Sequence, residues 1–430
     1  MSDNGCKNLD TFLQDQLKIM KAGKDFKFGN FFEGVELNFA NAGFRENIPC
    51  TVQNILIVRL DAVGDFIVTS GFIREVRKNF PNARITLIVS PLVYSIAELC
   101  PYVNEVLKFD GRTYGKNMPE VLENILNFCR EKLWQKHFAI SFLPRWGSDN
   151  LGGLWLSYLS GAKTRIGYGK LANAGWFGIS ESQKFTAALD NIFLTNNIVS
   201  PREVVSEVEK IFYLLLEVGL KVEELNLELW YGAEDYLKAH AMLKNFSNTK
   251  KAVIGLGAGG DSRKYPVKKL LVALKEIANK NISFVFIGGE SEKEAANFLE
   301  KNLPTKKVLN LVGKTTFRET EAVISQMDFY IGNDSGVMHM AAAAKVPVLA
   351  IYREAEDKDT ELAVYSELKR FPVWLTTNVI VRPKHALDEC ATETVYGGCC
   401  RSEVHCIAQI EPEEIVEGFE RLESMINKSK

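Results

Sequence analysis

The chain has 430 residues, of which 46% are hydrophobic and 25% are charged, a balance typical of globular proteins with buried cores. The length predicts about two or three domains. The net charge is −2, from 52 basic and 54 acidic residues, which argues against nucleic-acid binding through a broad basic surface. No apolar run approaches the ~20 residues that a membrane-spanning helix needs.

The first 50 residues mix polar and aromatic side chains without a clear period. We expect residues 1–50 to form an extension that packs on the rest of the chain or on a partner chain. The opening residues, MSDNGCKNLDTF, lack the basic and apolar regions of a signal peptide. The expected location is therefore cytoplasmic. Peripheral contact with the inner face of a membrane and formation of a homo-oligomer are both compatible with this sequence.

From residue 54 the pattern changes to alternating strands and helices. The apolar run NILIVRL predicts a strand that is buried on both faces. A loop, the helical stretch DFIVTSGFIREVRKNF and a second apolar strand, RITLIVS, follow in that order. The order then repeats. It predicts parallel βαβ units in a first domain over residues 51–235.

A second series of strands and helices begins at KAVIGLG, after a polar helical stretch over residues 221–250. Its later strands are ISFVFIGG, DFYIGND and VPVLAIY. The sequence therefore predicts an α/β protein with two Rossmann-like domains, the second over residues 236–430. In such sheets ligands bind in the loops at the carboxyl ends of the strands, so we expect the functional residues in those loops.

The loop after the first strand contains Gly64 and Asp65. Glycine permits a tight turn, and an aspartate after it can simply cap the following helix. The wider string R-L-x-x-x-G-D-x-x-x-T-S, with Arg59 and Thr69 at its ends, resembles the opening signature of glycosyltransferase family 9, the heptosyltransferases. The resemblance implies a GT-B fold, in which two Rossmann-like domains face a cleft.

The same resemblance assigns roles in this loop. It implies that Asp65 is the catalytic base and that Arg59, Gly64 and Thr69 border the acceptor site. The chemistry suits the position, because displacement at an anomeric carbon needs a carboxylate that takes the proton of the acceptor hydroxyl. A helix N-terminus keeps such a carboxylate ionised near neutral pH.

A glycine-rich loop, VIGLGAGGDS, opens the second domain. Gly255, Gly257 and Gly260 make a literal G-x-G-x-x-G, which is compatible with dinucleotide binding. The continuation DSRKYP argues against that reading, since a dinucleotide fingerprint leads into an apolar helix.

The family pattern accounts for more of this loop. It has a basic residue, a spacer, an aromatic residue and a proline, matched here by Arg263, Lys264, Tyr265 and Pro266. The family usually has lysine where this chain has Arg263, so a guanidinium fork replaces a point charge. The resemblance implies that Gly257 lines the donor site and that Arg263 or Lys264 neutralises the departing pyrophosphate. A solvated surface pair is the simpler alternative.

Two further segments match donor-binding blocks of the family. Glu290, in IGGESEKE, corresponds to a carboxylate that meets the ribose hydroxyls, although an acid at a helix N-terminus is also common. The segment IGNDSGVMHMAAAA resembles the block D-S/T-G-x-x-H-x-x-A-A. We expect Asp334 or Ser335 to cap a helix whose amides bind the donor phosphates, with Gly336 allowing close approach. His339 then contacts phosphate or holds the loop, and a purely structural histidine is the alternative.

Four of the eight cysteines lie within CATETVYGGCCRSEVHC. Such a cluster in a reducing compartment is typical of a metal site, and thiolates suit zinc or iron. The predicted ligands are Cys390, Cys399, Cys400 and Cys406. The autotransporter heptosyltransferases, a branch of the family, hold iron on a C-terminal cysteine cluster, which implies the same here. Packed free thiols are the alternative.

These observations predict an inverting glycosyltransferase that needs no cofactor for its chemistry, with zinc or iron in a structural role. The expected donor is a nucleotide-diphosphate sugar, by resemblance ADP-heptose. The expected acceptor is a surface glycan such as lipopolysaccharide, a lipid-linked sugar or a protein. Two alternatives stay open. They are a nucleotide-sugar epimerase, which would turn over the donor alone, and a catalytically silent subunit that binds nucleotide or glycan.

Overall fold

The chain forms two compact units, which we describe one after the other from a computed structural model. The first consists of Met1–Asp61, Phe72–Val204 and Glu209–Glu224, and the second of Ala62–Gly71, Val205–Val208 and Leu225–Lys430. The structure describes all residues except 1–2, 24–25, 43, 45–53, 113–116, 148, 150, 170–191, 202, 247–248, 305–307, 359–365, 389, 391–402 and 429–430. The predicted ranges 51–235 and 236–430 treat each domain as one continuous stretch, whereas both units here are assembled from several segments.

A parallel six-stranded sheet forms the centre of the first unit. Its strands are β1 (Asn54–Arg59), β2 (Arg84–Val89), β3 (Glu105–Lys108), β4 (Ile140–Leu143), β5 (Thr164–Gly167) and β6 (Asn196–Asn197), in the spatial order β3-β2-β1-β4-β5-β6. The predicted doubly buried strand is β1, between β2 and β4, where Ile57 is in register with Leu87 and Phe142. A continuous apolar run suits this place, because helices cover both faces of a parallel sheet.

The helices of the first half of the chain are α1 (Asp3–Lys21), α2 (Phe28–Asn41), α3 (Val63–Asn79), α4 (Tyr94–Ala97), α5 (Met118–Phe128), α6 (Gly153–Leu159) and α7 (Glu207–Glu217). The start of α3 groups with the second unit and the rest of it with the first. The side chain of Asn117 caps α5 by accepting the N–H of Glu120 at 3.0 Å. Asn117 thus satisfies one of the donors that every helix start leaves open.

The N-terminal extension is helical and belongs to the core of the first unit. Leu9, Leu13 and Leu17 follow each other at the spacing of one helix face and are at most 2% exposed. On α2, Phe32 stacks on Trp155 of α6 with ring centroids 5.9 Å apart. No helical period is evident from the sequence of this segment, because aromatic residues are mixed with small and polar ones. In the structure the buried positions of α2 nevertheless form one face.

A second parallel sheet of six strands forms the centre of the second unit. Its strands are β7 (Lys250–Gly255), β8 (Ile282–Ile287), β9 (Val308–Asn310), β10 (Phe329–Asn333), β11 (Val348–Ile351) and β12 (Asn378–Val381), in the order β12-β11-β10-β7-β8-β9. The helices are α8 (Ala233–Leu243), α9 (Val267–Ala278), α10 (Lys293–Asn302), α11 (Phe317–Ile324), α12 (Gly336–Ala343), α13 (Glu367–Arg370) and α14 (Pro412–Lys428). The two sheets confirm the predicted α/β class.

The last helix, α14, closes the core of the second unit. Phe419 packs against Phe329 of β10, with ring centroids 5.0 Å apart, and Ile415 and Leu422 are fully buried. Helix α14 lies against α9, β11 and β12. Among the helices that the structure describes, none is both long enough and apolar enough to cross a membrane.

Candidate active site

The order of the strands in the second sheet brings the predicted donor loops together. β10 lies between β7 and β11, and β8 is the next neighbour of β7. All of these strands are parallel, so the loops that follow them emerge at one edge, which we call the carboxyl edge. The loop after β7 carries Gly257, Arg263 and Lys264, and the loop after β10 carries Asp334 and Ser335.

Arg263 and Asp334 form an ion pair across the carboxyl edge. Nη1 of Arg263 donates to Oδ2 of Asp334 at 3.2 Å, and Asp334 is 5% exposed. Burial raises the pKa of Asp334 to about 6, although the guanidinium of Arg263 acts in the opposite direction. The arginine predicted to meet a phosphate is therefore held by a buried carboxylate.

Lys264 also faces carboxylates. Its Nζ lies 2.9 Å from Oδ1 of Asp261 and 3.0 Å from Oε1 of Glu292. Glu292 in turn accepts the N–H of Gly289 at 2.9 Å. Glu292 was not predicted; it stands two residues after Glu290, in the segment that follows β8.

Glu290 itself lies at the surface. Its side chain is 74% exposed and pairs with Lys293 at 2.5 Å. The structure thus brings Glu292, rather than Glu290, to the glycine-rich loop, where Oε2 of Glu292 would lie 3.4 Å from a Cβ on Gly257. Contact of Glu290 with a ribose stays a prediction.

Asn333, the last residue of β10, connects β10 to the loop after β7 through two hydrogen bonds, and it was also not predicted. Its side chain donates to the carbonyl of Leu256 at 3.1 Å and accepts the N–H of Tyr265 at 2.9 Å. Ser335 then takes the N-cap position of α12, and its side chain makes no capping hydrogen bond. Such a helix start offers backbone N–H groups to an anion.

The first turn of α3, which contains Gly64 and Asp65, contacts the start of α12. Residues Ala62–Gly71 group with the second unit, and Gly64 meets Gly336 there. A Cβ on Gly336 would lie 3.2 Å from the backbone nitrogen of Gly64, and one on Gly64 would lie 3.1 Å from Cδ2 of His339. The absence of both side chains permits this approach, and the half-buried Asp65 directly follows Gly64 in the chain.

His339 is buried beneath this contact. It is 3% exposed, and its Nδ1 has no hydrogen-bond partner within the part of the chain that the structure describes. Burial, and secondly the positive charge of Arg263, lowers the pKa of His339 to about 4. The ring is therefore neutral at pH 7 and brings no positive charge to the site.

Arg59 and Thr69, predicted on the acceptor side, have internal partners. Nε of Arg59 lies 3.3 Å from Oδ2 of Asp61, and its guanidinium also donates to the carbonyl of Pro144. Burial raises the pKa of Asp61, but the positive charges of Arg59 and Arg145 have the larger combined effect, and the pKa of this carboxyl is lowered. Thr69 donates to the carbonyl of Asp65 at 2.7 Å. Both side chains support the loop, and a contact with acceptor stays a prediction.

Of the predicted metal ligands, the structure brings Cys390 and Cys406 together and adds His405. Nδ1 of His405 lies 3.7 Å from Sγ of Cys390 and 3.3 Å from Sγ of Cys406, and the three atoms lie within 4.8 Å of one another. Cys399 and Cys400 lie outside the described residues. Two sulfurs and an imidazole nitrogen are a donor set that zinc and iron accept.

The chain is similar in sequence to several heptosyltransferases. It is 25% identical over 178 residues to lipooligosaccharide heptosyltransferase 2 of Campylobacter jejuni, a match that covers 40% of this chain but only 51% of that protein. It is 24% identical to the lipopolysaccharide core heptosyltransferase OpsX of Haemophilus influenzae, over 70% of this chain and 79% of that protein.

Solved structures of heptosyltransferases have a fold similar to that of this chain. The structure of the E. coli ADP-heptose lipopolysaccharide heptosyltransferase II superposes with a TM-score of 0.64 at 16% identity, covering 88% of this chain and all of that one. This likeness confirms the predicted GT-B fold. The model of glycosyltransferase family 9 (heptosyltransferase) matches residues 173–377. As its loops predict, the chain is a glycosyltransferase, and over these residues it is similar to glycosyltransferase family 9.

Proposed function

We propose that this glycosyltransferase moves a heptose or a related sugar, with inversion, from a nucleotide diphosphate to a surface glycan, a lipid-linked sugar or a protein. ADP-heptose is the donor that the relatives favour, since one structural neighbour is named for it. The observation that carries the proposal is the contact between Gly64 and Gly336. It supports the proposal because Asp65, the proposed base, directly follows Gly64, and Gly336 begins the helix that we propose receives the leaving group.

In the proposed complex the diphosphate lies at the carboxyl edge of the second sheet. The N–H groups at the start of α12 and the side chains of Arg263 and Lys264 supply the donors. Because Arg263 is already paired with Asp334, the phosphate shares or replaces that carboxylate. The neutral His339 supports Gly64 rather than adding charge.

Asp65 acts as the general base in the proposed reaction. Its carboxylate takes the proton of the acceptor hydroxyl while the hydroxyl oxygen bonds to the anomeric carbon of the sugar. The bond between that carbon and the diphosphate breaks on the opposite side, and the nucleoside diphosphate leaves with the electron pair. Charge that develops on the leaving oxygen is stabilised by Arg263, Lys264 and the start of α12.

Calorimetry with ADP, UDP and GDP tests the donor assignment. We expect ADP to bind more tightly than UDP or GDP, and Arg263→Ala to weaken the binding of ADP by roughly tenfold or more, since a charge-assisted hydrogen bond is lost. Lys280→Ala, at the far end of α9, is the matched control. Equal affinity for the three nucleotides would contradict the choice of ADP. Wild-type affinity in Arg263→Ala would contradict the proposal that the diphosphate binds at Arg263.

For the cysteine cluster we propose a structural zinc or iron held by Cys390, His405 and Cys406. Nε2 of His405 lies 3.4 Å from Oδ2 of Asp388, the kind of second partner that orients a metal-binding imidazole. The metal would stabilise the C-terminal segment, since its ligands are not organised in the unfolded chain.

Elemental analysis of protein purified without a metal-affinity step tests this. We expect about one zinc or iron per chain, because the ligand atoms of Cys390, His405 and Cys406 converge on one point. Cys406→Ser should lose most of it, and the buried Cys100→Ser, outside the cluster, should keep it. Binding of ADP should not change in either variant. A metal content far below one per chain in the wild-type protein would contradict the proposal and would mean that these cysteines are packed free thiols.

A further inference from the structure

Arg353, two residues after the end of β11, lies at the carboxyl edge of the second sheet. Its Nε and Nη2 donate to the two carboxylate oxygens of Glu367 at 2.9 and 2.6 Å, and its side chain is 13% exposed. A bidentate pair of this kind fixes the plane of the guanidinium as well as its charge. The sequence gives no sign of the pairing, because the partners are fourteen positions apart, Arg353 in the loop after β11 and Glu367 at the start of α13.

The third nitrogen of Arg353 reaches another loop. Nη1 donates to Oγ of Ser262 at 2.5 Å, and Ser262 is 6% exposed. Ser262 lies in the short 3-10 turn Asp261–Arg263, which belongs to the loop after β7. In the sheet, β10 lies between β7 and β11. The guanidinium therefore joins two loops that emerge on either side of the start of α12.

A hydrogen bond of this kind would help to order the loop after β7. It contains Gly257, Gly259 and Gly260, and ordering a glycine costs more conformational entropy than ordering any other residue. The side chain of Arg263 lies over Gly259, where a Cβ would fall 1.8 Å from Nη2. The position of the Arg263 guanidinium thus depends on the path of the glycine-rich backbone next to Ser262.

Arg353 also acts on the partner of Arg263. Its positive charge favours the ionised form of Asp334, whereas the charge of Glu367 disfavours it. The two charges of this pair therefore act in opposite directions on the pKa of Asp334, and the effect of Glu367 is the larger of the two. A neutral, bidentate pair is better suited to holding a loop than to attracting an anion.

We propose that Arg353 is a positioning residue for donor binding. Through Ser262 it holds the loop after β7 in the arrangement in which Arg263 can receive a diphosphate. The inference rests on the proposed function, because it takes this edge as the donor site. Without the attachment the loop populates other conformations, and the apparent affinity falls with the fraction that stays competent.

Calorimetry with ADP on the full chain tests the inference in a double-mutant cycle. Arg353→Lys keeps the charge but cannot make both the bidentate pair and the third hydrogen bond. Ser262→Ala removes one hydroxyl. We expect each variant to bind ADP roughly tenfold more weakly, as for the loss of a charge-assisted hydrogen bond. The double variant should bind no more weakly than the weaker single variant, because both changes remove the same contact.

Steady-state kinetics adds a readout that a general loss of stability would not produce. The KM for the donor should rise by a similar factor while kcat stays within about twofold, since Asp65 is untouched. Lys250→Ala is the control. Lys250 is the first residue of β7, at the end of that strand opposite the carboxyl edge, where its Nζ lies 3.3 Å from Oε1 of Glu423, and this variant should bind ADP as the wild type does.

Three results would overturn the inference. They are wild-type affinity for ADP in Ser262→Ala, wild-type affinity in a folded Arg353→Lys, and losses that add in the double variant, which would mean that Arg353 acts independently of Ser262. If Arg353→Lys does not fold, Ser262→Ala alone decides. Failure of the wild-type chain to bind ADP would count against the proposed function instead.

Discussion

At the residue scale, the basic side chains of the glycine-rich loop each face a carboxylate. Arg263 pairs with Asp334, and Lys264 pairs with Asp261 and Glu292. These acids hold the cations in place in the nucleotide-free chain, where an unpaired charge at a half-buried site would be costly. A diphosphate that binds here competes with acids that already order the cations, so less side-chain freedom is lost on binding.

A single methyl group at Gly64 should lower turnover. The new Cβ in Gly64→Ala would lie 3.1 Å from Cδ2 of His339, and the buried ring has little room to yield. A displacement of Asp65 by a fraction of an ångström to one ångström should reduce kcat by roughly ten- to a hundredfold. Gly29→Ala, where a Cβ meets open space, is the matched control. Wild-type kcat in Gly64→Ala would mean that this contact does not position Asp65.

The roles of Asp65 and Asp334 stay predictions, but the sequence could predict that both lie in segments that follow strands, where ligands bind in parallel sheets. It could not predict Glu292 or the pairing of Arg353 with Glu367. Those contacts depend on the spatial order of the strands and on the path of each loop. Nor could it predict that two glutamates two residues apart have different surroundings, with Glu292 beside Lys264 and Glu290 beside Lys293.

At the element scale, α1 and α2 are part of the first unit rather than an appendage. They share one hydrophobic cluster with β1, α5 and α6, and Phe31, Phe39 and Tyr158 in it are fully buried. Alternating strands and helices were predictable from apolar runs and turns. Helix α2 was not, because aromatic residues with mixed neighbours fit a helix or a strand equally well until their partner on α6 is known.

Leu13→Ala should destabilise the first unit. Leu13 is 1% exposed, and a buried leucine truncated to alanine costs about 2–5 kcal/mol, including the cavity left behind. Urea unfolding of the full chain measures the change. Thr11→Ala, two residues away on the exposed face of α1, should change the free energy of unfolding by less than about 0.5 kcal/mol. A similarly small loss in Leu13→Ala would contradict the packing of the extension into the core.

At the scale of the whole molecule, the chain is built from two units, each around a parallel six-stranded sheet. The segment with Asp65 follows β1 of the first unit directly, yet Ala62–Gly71 groups with the second. Fold class and family were predictable because their motifs recur after several strands. The assembly of the units from separate segments was not, since it depends on contacts between residues far apart in the chain.

The central claim is that Asp65 is the base of a sugar transfer whose nucleotide binds at the carboxyl edge of the second sheet. It is tested most directly by the rate of ADP release from ADP-heptose, with an acceptor fraction of surface glycans and proteins, in wild type and Asp65→Asn. The account predicts a rate lower by roughly 10²–10⁴ in Asp65→Asn, as for the loss of a general base, with unchanged affinity for ADP. A rate near that of the wild type in Asp65→Asn would contradict it.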